Sequence, residues 1–297
     1  MAPGRTVEPT TPDPGAERRR LEDALADRLG SRREAHWILE HAGVSAAPGL
    51  AARRAAGEPL QYVLGRWPFR WLDLDVDPRV LIPRPETEQV VEVALAELER
   101  ALARSVRTGP TPGPVAADLG TGSGAIALSL ATEAGASHPA LQVWGTDRSE
   151  EALVVARGNL DRLAGLDPAA AARVRLVRGD WFTPLPGRLA GRLDLVVCNP
   201  PYVSEEEYPS LDPAVRDWEP RPALVAADGA GGVGGMADIE AVVGAAPRWL
   251  SRHGALVVEM APHQATAARD VARRAGFGHV DVVRDLSGRD RALVARR

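Results

Sequence analysis

The sequence predicts an α/β protein: a parallel sheet with helices on both faces, preceded by a small helical domain. Three observations carry this. From residue 115 onward, short apolar runs alternate with longer stretches of helical period, the pattern of repeated strand–helix units. Runs such as Leu193-Asp-Leu-Val-Val-Cys198 are almost continuously apolar, as strands covered on both faces require. Before residue 60, the apolar residues instead follow helical spacing: Leu21, Leu25 and Leu29, then Trp37, Ile38 and Leu39.

Taken in order, residues 1–16 are rich in Pro and Thr with no apolar period and read as a disordered tail. A small helical domain is expected over 17–65, with Ser31 as an N-cap and Glu34 three residues on. Trp67, Phe69 and Trp71 alternate, as do Leu72, Leu74 and Val76, which predicts a hairpin linker over 66–85. The domain expected to carry the chemistry spans 86–297. It opens with a helix over 86–104, followed by a Pro/Gly break from Gly109 to Pro114. Strands are predicted at 115–119, 141–146, 173–177, 193–198, 255–260, 279–284 and 291–295. Helices are predicted at 123–134, 149–165, 236–250 and 263–275.

Composition narrows the function. The 297 residues carry 36 basic and 40 acidic side chains, a net charge of −4. All the basic residues are Arg, which excludes a Schiff-base lysine and a phosphate-binding P-loop lysine. The balance gives no ground for a general nucleic-acid binder, and direct nucleic-acid binding is not expected. Cys198 is the single cysteine, so no internal disulfide and no cysteine zinc site can form. The six His lack ligand spacing; His36 and His41 read as surface residues, and no metal is expected. There is no secretory signal and no stretch long enough to span a bilayer, so no membrane partner is expected and the cytoplasm is the expected location.

Because open α/β sheets bind ligands at the carboxyl ends of their strands, the residues that follow each strand are the candidates. Asp118-Leu-Gly120-Thr121-Gly122-Ser123-Gly124-Ala125 follows the first strand and opens a helix. Its glycines permit a tight turn and a close backbone approach to a nucleotide-type ligand. Asp118 before the loop suits a ligand with a cationic amino-acid end. Asp147 ends the next strand, where a carboxylate can accept both hydroxyls of a ribose; Ser149 is free to cap the following helix. Gly179-Asp180-Trp181 follows the third strand, where the acid can accept from an adenine amino group and the indole can cover the ring. Asn199-Pro200-Pro201-Tyr202 ends the fourth. Its prolines donate no backbone hydrogen bond. What remains is a rigid row of acceptors, the Asn199 side-chain oxygen and the Pro200 carbonyl, matched to a planar NH₂ group, with Tyr202 offering an aromatic face.

These motifs resemble those of the class I S-adenosylmethionine-dependent methyltransferases that act on amino groups, specifically the peptide-chain release factor glutamine-N5 methyltransferases. Beyond the motifs above, the resemblance rests on Glu58-Pro-Leu-Gln-Tyr62, Leu81-Ile-Pro-Arg-Pro-Glu-Thr-Glu88, Glu219-Pro220 with Ala223-Leu224, and Asp285-Leu-Ser-Gly-Arg-Asp-Arg291. It covers roughly residues 20–296. It implies a Rossmann-like sheet and S-adenosyl-L-methionine as cofactor, held at its methionine end by Gly120–Gly124, at its ribose by Asp147 and at its adenine by Asp180 and Trp181. Asn199, Pro200, Pro201 and Tyr202 would bind the substrate amide, with Asn199, Pro200 and Tyr202 carrying catalysis. The implied partner is the Gly-Gly-Gln loop of a bacterial release factor, docked with help from the N-terminal helices. A methyltransferase for an exocyclic amino group of RNA or DNA would use the same acceptor row and is the alternative. A nicotinamide-dependent oxidoreductase explains the glycine loop and Asp147 but leaves Asn199–Tyr202 without a task. Two stretches depart from the family pattern. Asp228–Gly235 is long and glycine-rich and is expected to be a flexible surface loop, and Ala261 stands where Gly is common. Arg84, Glu86 and Glu88 begin a helix where acids suit the dipole, with a role in closing the site left open.

Overall fold

A computed structural model describes residues 14–105 and 113–297. The chain divides into two compact units at Leu64/Gly65. The first holds α1 (Pro14–Leu29), α2 (Arg32–Ala55) and α3 (Leu60–Leu64). The Ser31 hydroxyl accepts from the Glu34 amide at 3.3 Å and caps α2, as its spacing predicts. Gly43, at φ +69°, kinks that helix. Leu25, Ile38, Leu39, Ala47 and Ala51 close a small core. Residues 14–16, expected within a disordered tail, form the first turn of α1. The remainder of that tail lies outside the described residues, as does most of the Gly109–Pro114 break.

The second unit opens with the hairpin β1 (Arg66–Phe69) and β2 (Leu72–Asp75), paired antiparallel. Its turn falls at Arg70, with φ +51°. The aromatic alternation therefore stops one residue early, and Trp71, expected to continue the strand, sits in the turn with 81% of its surface exposed. The hairpin, expected as a linker over 66–85, falls within this second unit. Phe69 and Leu74 are buried in the core of this unit, and the Arg70 guanidinium donates twice to Glu133, at 2.6 Å each.

After α4 (Pro85–Arg104) come β3 (Val115–Leu119), α5 (Ala125–Ser137), β4 (Gln142–Asp147), α6 (Glu150–Leu166), the short α7 (Pro168–Ala172) and β5 (Val174–Arg178). Then follow β6 (Leu193–Cys198), the single turn α8 (Pro213–Arg216), α9 (Ala237–Trp249), β7 (Leu250–Glu259), α10 (Ala265–Arg274), β8 (His279–Arg284) and β9 (Asp290–Arg296). Seven strands form one sheet in the order β5-β4-β3-β6-β7-β9-β8. Alternate residues of each central strand face opposite cores, as the pleat demands. Leu195 and Val197 fall in one buried core with residues of α4 and α5, while Val196 and Cys198 fall in the other with residues of α9 and α10.

The sheet is not wholly parallel. β9 runs antiparallel to both β7 and β8. A helix must return the chain between parallel neighbours, but only a short turn joins β8 to β9, so that pair can close only as a hairpin.

One buried side chain ties the hairpin to the functional end of the sheet. Asn159 of α6 accepts from the Asp75 amide at 2.7 Å and donates to the Asp75 and Ser123 carbonyls at 3.0 and 2.9 Å. Replacing Asn159 with Ala strands buried backbone groups. Urea unfolding is expected to show a loss of about 1–3 kcal/mol; an unchanged midpoint and slope would contradict this role.

Candidate active site

Strands β4, β3 and β6 run parallel to one another, so the loops leaving them meet at one edge. Leu119 of β3 is in register with Cys198 of β6. Gly120 and Asn199 therefore leave the sheet side by side, at the point where successive strands have turned to opposite directions from β3. A cavity of about 300 Å³ opens there. Its wall includes Gly120, Thr121, Gly122, Ser123, Asp147, Asp180, Trp181, Asn199 and Pro201. Asp118, Gly124, Pro200 and Tyr202 are not among the residues that line it.

The glycine loop is held from below. Gly120, Gly122 and Gly124 all have positive φ. At Gly120, an added Cβ would stand 3.2 Å from the Trp181 indole. The Gly120 and Thr121 amides both donate to the Thr146 carbonyl at 2.8 Å. Asp118, read from sequence as suited to a cationic ligand end, is fully buried. One of its oxygens accepts from the Thr121 hydroxyl at 2.6 Å and the Ala127 amide at 3.0 Å. The other has no hydrogen-bond partner among the described residues. Burial pushes its pKa up to about 7. Asp118 thus sets the loop's shape from behind.

Asp147 does reach the wall. Its oxygens accept from the Gly122 amide at 2.9 Å and the Ser149 amide at 2.8 Å, and burial raises its pKa. Ser149, as expected, caps α6 by accepting from Ala152. Trp181 occupies the left-handed region at φ +46°, an uncommon position for a bulky residue that marks functional turns.

Asn199 is held by residues the sequence reading did not find. Its side-chain Nδ2 donates to Thr87 Oγ1 at 3.2 Å, and Thr87 Oγ1 donates to Glu259 Oε2 at 2.7 Å. The Tyr202 hydroxyl donates to Glu259 Oε1 at 3.4 Å. Glu259 is 1% exposed, and burial raises its pKa to about 6. Burial likewise raises the Tyr202 phenol. Thr87 could have been noticed only by its place between two singled-out acids. Glu86 and Glu88 turn elsewhere: Glu86 pairs with Arg289 at 3.3 Å, and Glu88 accepts from the Arg70 amide. Arg84 pairs with buried Glu219, which also accepts from the Ile82 amide at 3.1 Å. This links the Leu81–Glu88 segment to the Glu219–Pro220 segment. Cys198 is fully buried with its thiol pKa raised, so it offers no thiolate to the cavity.

Of the stretch expected as a flexible surface loop, Asp228–Gly235, residues Asp228, Ala230, Gly231 and Gly232 are exposed, while its end, Gly234 and Gly235, packs against Tyr202 and Gln264. Gln264 Nε2 donates to the Tyr202 and Gly234 carbonyls, each at 2.9 Å. At Gly235, φ is +67° and an added Cβ would stand 2.2 Å from the Tyr202 carbonyl oxygen.

A seven-stranded sheet in this order, with a glycine loop after β3 and an Asn-Pro-Pro-Tyr turn after β6, defines a class I Rossmann-like methyltransferase. Comparison with known proteins agrees. The family model "Methyltransferase small domain" matches residues 100–211. A solved structure titled as the hMettl16 catalytic domain in complex with MAT2A 3'UTR hairpin 6 shares the fold, with a TM-score of 0.50 and 17% identity over 83% of this chain and 81% of that one. A release factor glutamine methyltransferase of Bordetella pertussis is 40% identical over 94% of each chain. One from Nitratidesulfovibrio vulgaris is 41% identical over 88% of this chain and 80% of its own. The chain belongs to the release factor glutamine methyltransferase family.

Gly235→Ala places a Cβ against backbone in a left-handed conformation, a combination expected to cost about 1–3 kcal/mol. Thermal unfolding should register a clear drop in Tm, whereas a Tm equal to that of the parent would show the turn to be loose.

Proposed function

We propose that this methyltransferase transfers a methyl group from S-adenosyl-L-methionine to the side-chain amide nitrogen of the glutamine in the Gly-Gly-Gln loop of peptide-chain release factors. The observation that carries this is the juxtaposition of Asn199 with the glycine loop across β3 and β6, in a chain of this family. The cytoplasm is the location that goes with this reading.

The residues present fit the cofactor. Gly120 and Gly122 present backbone without a Cβ, Gly120 beside the Trp181 indole, and Asp147 places a carboxylate on the same wall. We assign the methionine end to the loop, the ribose to Asp147 and the adenine to Asp180 and Trp181, with Asp118 and Gly124 shaping the loop. When bound, S-adenosylmethionine supplies a methyl group activated on a sulfonium. An amide nitrogen is a weak nucleophile, because its lone pair is delocalised into the carbonyl. The protein's task is therefore placement. The Asn199 side-chain oxygen and the Pro200 carbonyl accept the two amide hydrogens and fix the plane of the NH₂, with Pro201 and Tyr202 bounding it. Such alignment supplies several kcal/mol of barrier reduction. The same two hydrogen bonds stabilise the positive charge that develops on nitrogen. The acceptor is a small group on a loop and offers little binding energy, so docking must come from elsewhere on the protein partner; we assign it to the helical unit.

Cofactor identity is read from melting. S-adenosylhomocysteine is expected to raise Tm by mass action, and Asp147→Ala to weaken that shift. Stabilisation by NAD alone would overturn the assignment. For the substrate, mass spectrometry of an unmethylated release factor after reaction should place one methyl on the loop glutamine. Asn199→Ala should lower kcat about a hundredfold or more while leaving S-adenosylhomocysteine binding intact; near-normal turnover would refute the acceptor row.

A further inference from the structure

We infer that Thr87 and Glu259 are positioning residues: they fix which end of the Asn199 amide faces the substrate. The inference rests on the acceptor role proposed above for Asn199 and deepens it. An asparagine amide has a donor end and an acceptor end of nearly the same shape. Facing an NH₂ substrate, the donor end would repel it, so the orientation must be imposed by what lies behind.

What lies behind is a hydrogen-bond chain with one permitted direction. Glu259 ends β7, and its carboxylate, when ionised, can only accept. The Thr87 hydroxyl has a single proton, and Thr87 Oγ1 lies 2.7 Å from Glu259 Oε2. That proton goes to the carboxylate, so the Thr87 oxygen is left as an acceptor. Asn199 must then offer its NH₂ to Thr87, and Nδ2 is found at 3.2 Å. Oδ1 is left for the cavity, whose wall Asn199 and Thr87 both form. The reverse direction, with Thr87 donating to Asn199, would strip a buried carboxylate of one of its donors. Tyr202 donates to the other oxygen at 3.4 Å, so the Asn-Pro-Pro-Tyr turn meets the same anchor at both its ends.

The direction of the chain depends on the charge of Glu259. The groups that face it are Thr87 and Glu86 of α4, Tyr202 after β6 and Arg291 of β9. Arg291 and the two hydroxyls favour the carboxylate. Burial, the largest influence, and Glu86 oppose it, and its pKa settles near 6. Above that pH the carboxylate accepts and the Asn199 oxygen faces the substrate. Below it, a protonated carboxyl donates to Thr87, Thr87 can donate to Asn199, and the amide loses its imposed direction.

The test uses the full chain, labelled S-adenosylmethionine and an unmethylated release factor, with kcat and KM measured from pH 5 to 8. Wild-type kcat is expected to fall as pH drops through about 6 because the acceptor form of Glu259 is lost. Glu259→Gln should lower kcat at neutral pH and abolish that acid limb. Thr87→Val keeps the shape without the hydroxyl. It should lower kcat about tenfold or more while KM and S-adenosylhomocysteine binding stay within about twofold. Thr87→Ser, which restores the hydroxyl, should return kcat to within about threefold of wild type. Should Thr87→Val fail to fold, Thr87→Ser and the Glu259→Gln pH profile carry the test. A Thr87→Val enzyme with wild-type kcat, or a Glu259→Gln enzyme with an unchanged acid limb, would overturn the inference. If the wild type left release factors unmethylated, the proposed function would fall instead.

Discussion

The pairing of β3 with β6 is the constraint on which the rest depends. Leu119 and Cys198 share a register position, so two loops of unrelated sequence leave the sheet as neighbours. One is a glycine turn that leaves room for a ligand against the Trp181 indole. The other is an Asn-Pro-Pro-Tyr turn with acceptors and almost no donors. A shift of one residue would turn every side chain of the strand to the other face. The apolar faces of β6, with Leu195 and Val197 on one side and Val196 and Cys198 on the other, hold the register and hence the distance between the loops. Packing energy is in this sense converted into site geometry.

A second layer of control lies in buried polar groups behind the wall. Asp118 shapes the glycine loop, Glu219 joins Ile82 and Arg84 to the Pro220–Ala223 segment that lines the cavity, and Glu259 anchors Thr87 and Tyr202. Burying a carboxylate is costly unless its oxygens are satisfied. Each of these ties its own strand or loop to groups elsewhere in the chain, so it acts as a joint. One Asp118 oxygen has no hydrogen-bond partner among the described residues, and burial raises the pKa of the group.

Much of this was legible in the sequence, for physical reasons that vary by element. The strands announced themselves because coverage on both faces demands continuous apolar runs, and the loops followed from their positions at strand ends. The last two strands were found, but not their direction: an apolar run reads the same whether its neighbour is parallel or antiparallel. The role of Gly235 was not legible because composition reports conformational freedom, not the nearness of the Tyr202 carbonyl that requires a glycine there. Thr87 and Glu259 were invisible for a related reason. One is 112 residues from Asn199, and a threonine in the first turn of a helix carries no local mark of a contact made across the fold. Trp71 shows the converse error: the aromatic period continued through a turn at Arg70, whose φ is positive and whose side chain reaches Glu133.

The central claim is that the acceptor row serves a protein amide. The most direct measurement offers labelled S-adenosylmethionine to this enzyme in a mixture of unmethylated release factor, RNA and DNA at matched concentrations, and asks which polymer carries the label. The label is expected on the release factor and is lost when its loop glutamine is replaced. Label in RNA or DNA with the release factor unmodified would contradict it.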